Sequence, residues 1–320
     1  MNQIAIIGAG NWGTALAIVA ARAGHNVNLW SRANPRHLNS ASMPANVKAT
    51  NDLREALRDA SMILFAAPSH TARELLTAIA PLLTEPAIIV SVAKGIEIET
   101  GKRISEIAKE VAGSAHSFVC LSGPSFAKEV VAGHPTAIVA ASKDTAAARA
   151  VQNDLSFENL RIYTNTDVVG TELGGSVKNV MAIAAGMTTG LGFGSNSVAA
   201  LITRGLAEIT RLARREGAQV ETLMGLAGLG DLVLTCTGSL SRNRFVGEEL
   251  GKGKTLAEIT AGMNEVAEGI NTARAVKKLA DRAGLEMPIT NEVNAVLYDG
   301  KPARDAVAEL MSRPLREEIR

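Results

Sequence analysis

The sequence predicts an α/β fold in which an N-terminal doubly wound sheet is followed by an all-helical C-terminal domain. Three observations predict it. Short β-branched runs alternate with small-residue helical runs through the first half. The first of these runs opens directly into Gly8-Ala9-Gly10-Asn11-Trp12-Gly13. After about Asn165 strand signals nearly vanish and helical segments follow one another. The expected organisation is a nucleotide-binding domain over 1–165 and a substrate-binding and catalytic domain over 166–320.

The first strand is expected at Ile4 to Ile7, with a helix over Thr14 to Ala23 that Gly24 ends. Between them lies a G-x-G-x-x-G turn of Rossmann type. Gly8 permits the tight turn, Gly10 lets the main chain approach a pyrophosphate, and Gly13 allows close packing of helix on strand. Helix-end amides then face the anion. His25 to Trp30 is the second strand, and it decides which dinucleotide fits. A carboxylate for the adenosine ribose is absent there, because the strand runs out as Ser31-Arg32 with Arg36 beyond. Arg32 is either a cation for a 2′-phosphate, which makes NADPH the preferred cofactor over NADH, or a solvated loop charge. Further strands are expected at Met62 to Ala66, Ala87 to Val92, Phe118 to Leu121, Thr136 to Ala141 and Arg161 to Thr164. Helices are expected at Gly174 to Ala185, Ser197 to Glu216, Ala218 to Met224, Arg242 to Gly251, Thr255 to Ala261, Gly269 to Arg282, Thr290 to Tyr298 and Ala303 to Met311.

The 320 residues suffice for two cores, and 33 basic against 32 acidic side chains leave no footprint for nucleic acid or an anionic membrane. The longest uncharged stretch, Asn179 to Thr203, is broken by Gly186, Gly190, Gly192 and Gly194, so two helices and a loop explain it better than a membrane span. Cys120 and Cys236 both sit in apolar runs and read as buried thiols of a reducing cytoplasm; no secretory leader precedes the first strand.

Ligands of open α/β sheets bind beyond the carboxyl ends of the strands. Lys94 ends one strand and is either a cation at the nicotinamide end of the crevice or a surface lysine. Gly123 and Ser125 follow another strand. In the helical half, Lys178 stands alone on a glycine, alanine and aliphatic helix. It is either a partly desolvated proton donor and acceptor or a lysine reaching out to water. Asp231 is isolated among glycines and aliphatics, where an unpaired carboxylate is expensive, so a lysine partner is expected. Ser241-Arg242-Asn243-Arg244 opens a helix with groups suited to a phosphate dianion, or with a plain N-cap and solvated arginines. No metal site is indicated.

Taken together, Gly8 to Ala15 (GAGNWGTA), Val92 to Glu97 (VAKGIE), Ser122 to Glu129 (SGPSFAKE), Leu173 to Asn179 (LGGSVKN), Gly225 to Thr237 (GLAGLGDLVLTCT), Ser241 to Arg244 (SRNR), Val266 to Gly269 (VAEG) and Met287 to Thr290 (MPIT) closely resemble the bacterial-type NAD(P)-dependent glycerol-3-phosphate dehydrogenases over essentially the whole chain. The resemblance implies reversible reduction of dihydroxyacetone phosphate to sn-glycerol 3-phosphate, feeding glycerophospholipid synthesis, and a homodimer would fit the family. It implies that Lys178 is the proton donor and acceptor. Lys94, Gly123, Ser125, Lys178, Asp231, Ser241, Arg242 and Asn243 are implied substrate contacts. Gly8, Gly10, Asn11, Trp12, Gly13, Arg32, Lys94, Ala127, Arg242, Val266 and Glu268 are implied cofactor contacts. The chain departs from the family in the short segment Ser31 to Thr50, which has Met43-Pro44 in place of a leucine-proline-glycine element. A reductase of the same plan for a hydroxy acid or phosphogluconate would share the glycine loop but need not carry Lys94 with the Asp231 to Arg244 block. A noncatalytic NADPH-binding sensor would leave Lys178, Asp231 and Arg242 without purpose.

Overall fold

The computed structural model describes residues 2–32, 43–263, 267–315 and 317–318. Eight strands form one sheet: β1 (Gln3–Ile7), β2 (Asn26–Trp30), β3 (Val47–Thr50), β4 (Met62–Phe65), β5 (Ile88–Ser91), β6 (Ser117–Ser122), β7 (Thr136–Ala141) and β8 (Leu160–Asn165). Their spatial order is β3-β2-β1-β4-β5-β6-β7-β8. The chain therefore reverses direction across the sheet at β1, and a crevice opens at the carboxyl end of that strand. Apolar residues are continuous along β1 because both faces are covered. Ile4 and Ile6 pack with Leu16 and Val19 of the Asn11–Arg22 helix, whereas Ala5 and Ile7 pack with Leu75, Leu76 and Ile107 on the other face.

The doubly wound sheet is present as expected, and it is parallel from β3 through β6 but not at its far edge. β6 and β7 are antiparallel, with Cys120 opposite Ala141 and Ser122 opposite Val139, while β7 and β8 run parallel. The connection from β6 to β7 holds only the five-residue helix Ala127–Val131, and the chain turns back on the same side of the sheet. From β7 to β8 the Thr145–Leu155 helix supplies a full crossover. The edge strand β3 has no counterpart among the expected strands; Val47 and Ala49 alternate with Lys48 and Thr50 and pack against the sheet core, but four residues with only partly buried apolar positions are too short a run to stand out.

The second half is helical, and its axis is the helix Val168–Gly190, longer than the expected Gly174 to Ala185 and buried along almost its entire length. Glycine accounts for how closely the next element approaches. A Cβ on Gly186 would lie 2.0 Å from the Arg244 carbonyl oxygen, and one on Gly247 would lie 1.9 Å from that of Ile183. The Arg242–Gly251 helix thus packs backbone to backbone on the central helix, which fixes where Ser241, Arg242 and Asn243 stand. Gly247→Ala should lower stability by about 1–3 kcal/mol through overpacking. A urea midpoint that falls with an unchanged slope would confirm it, and an unchanged midpoint would refute the close approach.

The uncharged stretch resolves as expected into the end of the central helix, a turn, and the Ser195–Arg215 helix. Among the described residues no helix is long and apolar enough to cross a membrane. Cys120 and Cys236 are free and buried, and burial raises both thiols, Cys236 to about 12.

Candidate active site

Beyond the strand ends the two halves meet through charge. The Leu226–Gly230 segment forms a short π-helical turn that delivers Asp231 at the head of the helix Asp231–Thr237, an element the sequence reading did not separate. Asp231 is only 1% exposed and meets two lysines, one from each half of the chain. Lys94 Nζ, just beyond β5, donates to Asp231 Oδ2 at 2.6 Å and to the Gly123 carbonyl at 3.2 Å. Lys178 Nζ, on the central helix, donates to Asp231 Oδ1 at 2.5 Å and to Thr235 Oγ1 at 2.7 Å. The cluster holds two ammonium groups and one carboxylate, so it keeps one net positive charge in a largely dehydrated place. Side-chain exposure is 7% at Lys178 and 17% at Lys94. Burial pushes the Lys178 ammonium down to about 8; the Asp231 carboxylate opposes this shift, and the neighbouring Lys94 cation adds to it.

Thr235 and Asn179 belong to this site although the sequence reading gave neither a role. Thr235 Oγ1 donates to the Asp231 carbonyl at 2.6 Å while accepting from Lys178, so it holds the lysine and the aspartate in one geometry. Its spacing of four from Asp231 on a helix was the available signal. Asn179 lies beside Lys178 in sequence, and its Oδ1 accepts from Asn243 Nδ2 at 3.0 Å. Asn243 Oδ1 in turn accepts from the Gly269 amide at 2.9 Å, so this buried amide ties three helices together. Ser241 caps the Arg242–Gly251 helix by accepting from the Arg244 amide, and Arg244 itself turns to Glu248 and the Gly238 carbonyl. Arg242, in the first turn of that helix, is exposed. Ser125 Oγ donates to the Gly123 carbonyl at 3.0 Å, and Ala127 opens the next short helix.

At the carboxyl end of β1, Gly8 has φ of +117° and a Cβ there would stand 2.6 Å from the Ala67 amide nitrogen, while one on Gly13 would stand 1.9 Å from the Gly8 carbonyl oxygen. At Gly10 a Cβ would meet nothing within 4 Å. The turn is packed shut beneath and open above, and no side chain caps the Asn11–Arg22 helix that follows. This cradle fits the pyrophosphate of a dinucleotide. Trp12 packs against the sheet core beside it. Glu268 reaches across from the helical half, its Oε1 accepting from the Ser69 amide at 2.8 Å beyond β4. Arg32 is paired with Glu74, Nη2 to Oε1 at 2.9 Å. Val266 and Arg36 lie outside the described residues.

A doubly wound sheet with this glycine loop at its switch point, joined to a helical half whose buried lysine closes over the strand ends, defines a dinucleotide-linked oxidoreductase. The description "NAD-dependent glycerol-3-phosphate dehydrogenase N-terminus" matches residues 3–148, and the corresponding "C-terminus" matches 167–308. The chain belongs to the NAD-dependent glycerol-3-phosphate dehydrogenase family. It is 53% identical over 335 residues to the glycerol-3-phosphate dehydrogenase [NAD(P)+] of Koribacter versatilis, spanning 100% of this chain and 99% of the relative. The protein of the same name from Geobacter sp. strain M21 is 49% identical, with 99% of each covered. The crystal structure of glycerol-3-phosphate dehydrogenase from Coxiella burnetii superposes with a TM-score of 0.93 at 40% identity, covering 98% of this chain and 99% of that one.

Proposed function

We propose that the protein catalyses the reversible reduction of dihydroxyacetone phosphate to sn-glycerol 3-phosphate with NADPH or NADH, feeding glycerophospholipid synthesis. The observation that carries this reading is the Lys94–Asp231–Lys178 constellation beyond the strand ends, one lysine from each half of the chain. An ammonium has three protons. Asp231 and Thr235 take two from Lys178, and the third is the proton for the carbonyl oxygen. The dinucleotide supplies the hydride from its nicotinamide when bound over the Gly8 to Gly13 loop. As negative charge develops on the ketone oxygen, Lys94 and Lys178 meet it as fixed cations in a place with little water, and Lys178 completes the alcohol by giving up its proton. Asp231 holds both lysines at their distances. Arg242 receives the substrate phosphate from the helix start that Ser241 caps, and Asn243 and Asn179 hold that helix against the central one.

Arg32 is assigned to the adenosine 2′-phosphate, so Arg32→Asp should depress kcat/KM for NADPH by about tenfold or more while NADH is affected less. Equal losses with both cofactors would remove Arg32 from that role. Two free buried cysteines support a cytoplasmic setting, a homodimer is the expected assembly, and the domains are divided at 165/166. Spectrophotometric NADPH oxidation with dihydroxyacetone phosphate tests the whole reading. Background rates with this ketone, alongside turnover of a hydroxy-acid precursor, would overturn it.

A further inference from the structure

β2 and β4 flank β1 on either side, and all three run parallel. Arg32 lies two residues past the end of β2, and Glu74 lies in the first turn of the helix Ala72–Ile79 that follows β4. Their 2.9 Å bond therefore spans the carboxyl edge of the sheet above the β1 glycine loop, where the adenosine half of a dinucleotide sits in this fold. The second strand ends without an acidic residue, yet a carboxylate stands at that place all the same, supplied from a different element forty-two positions away.

We infer that Glu74 is a specificity-determining residue that holds down the preference for NADPH and keeps NADH competitive, resting on the dinucleotide reading above. A 2′-phosphate must draw Arg32 away from Glu74 or bind with a carboxylate beside it, and both oppose the dianion. A 2′-hydroxyl brings no such charge, and it can donate to the carboxylate as ribose hydroxyls do to the acidic residue of other dinucleotide sites. Both partners are largely exposed, 64% for the arginine and 69% for the glutamate side chain, so the bias is a modest one that water and salt weaken.

The test measures Kd for NADPH and for NADH by fluorescence titration of the full-length protein, without substrate. It compares the natural protein, Glu74→Gln, and Glu85→Gln as a variant with the same charge change at an exposed carboxylate elsewhere. Glu74→Gln should shift the ratio of the two constants toward NADPH by about two- to fivefold at low salt, with a smaller shift at 0.5 M salt. Glu85→Gln should leave that ratio where it was. The inference is overturned if Glu74→Gln moves both constants by one factor or neither, or if Glu85→Gln shifts the ratio equally. Failure of the natural protein to bind either dinucleotide would instead overturn the dehydrogenase reading and the inference with it.

Discussion

Lys178→Ala should lower kcat for dihydroxyacetone phosphate reduction by about 10³-fold, within the 10² to 10⁴ expected for loss of a positioned general acid. The Kd for NADPH should be nearly unchanged, because the glycine cradle lies on the other half of the chain. The pH dependence gives a second measurement with a definite sign. Burial pushes the Lys178 ammonium down to about 8, so the proton needed for reduction is present below that pH and lost above it. Reduction by the natural protein should therefore fall as pH rises through about 8, and oxidation of glycerol 3-phosphate, which needs the neutral amine, should rise through the same range. The alanine variant should lose this limb in both directions. Lys178→Arg should stay slow despite its charge, since a guanidinium does not release its proton. Retained activity in the arginine variant would show that a fixed cation is enough and that the proton comes from elsewhere.

The buried charge cluster at Lys178 and Asp231 was legible in the sequence because a charge isolated in an apolar run is expensive and must be accounted for. The same logic foresaw a lysine partner for Asp231, though not that two lysines would share it. Thr235 and Asn179 were passed over for the opposite reason. A hydroxyl or an amide on a helix costs little and satisfies itself locally, so nothing in its spacing demands a distant partner. The alternating first half and the helical second half were legible from period and punctuation. The reversal at β7 was not, because a strand buried on both faces reads alike in either direction. The Arg32–Glu74 pair shows a third limit: Arg32 announced a cation at the end of β2, but only the strand order places Glu74 opposite it.

Asp231→Asn is the second substitution with a large expected effect, and it separates holding the lysines from acting on the substrate. The variant keeps the shape of the site and removes its one negative charge. Lys178 and Lys94 then face each other without a carboxylate between them, and Lys178 is buried. Breaking a buried pair from one side costs about 3–5 kcal/mol, far more than an exposed pair would, because the remaining charge stays desolvated. The cost should depend on pH in a defined direction. Asp231 is the group that holds the Lys178 proton against burial, so without it that proton leaves at a pH lower still than about 8. A lysine whose folded value lies below its unfolded one binds fewer protons when folded, and stability rises with pH between the two values. For the variant this rise begins below pH 8, before that of the natural protein. The stability gap should therefore be widest in mildly acid solution and narrow as pH approaches about 8, which urea unfolding at pH 6 and pH 8.5 would measure. Reduction at neutral pH should fall even in the fraction that remains folded, since its lysine has already shed the proton the ketone oxygen needs. A gap that stayed constant across that range would mean that Asp231 contributes by packing alone and does not set the protonation of Lys178.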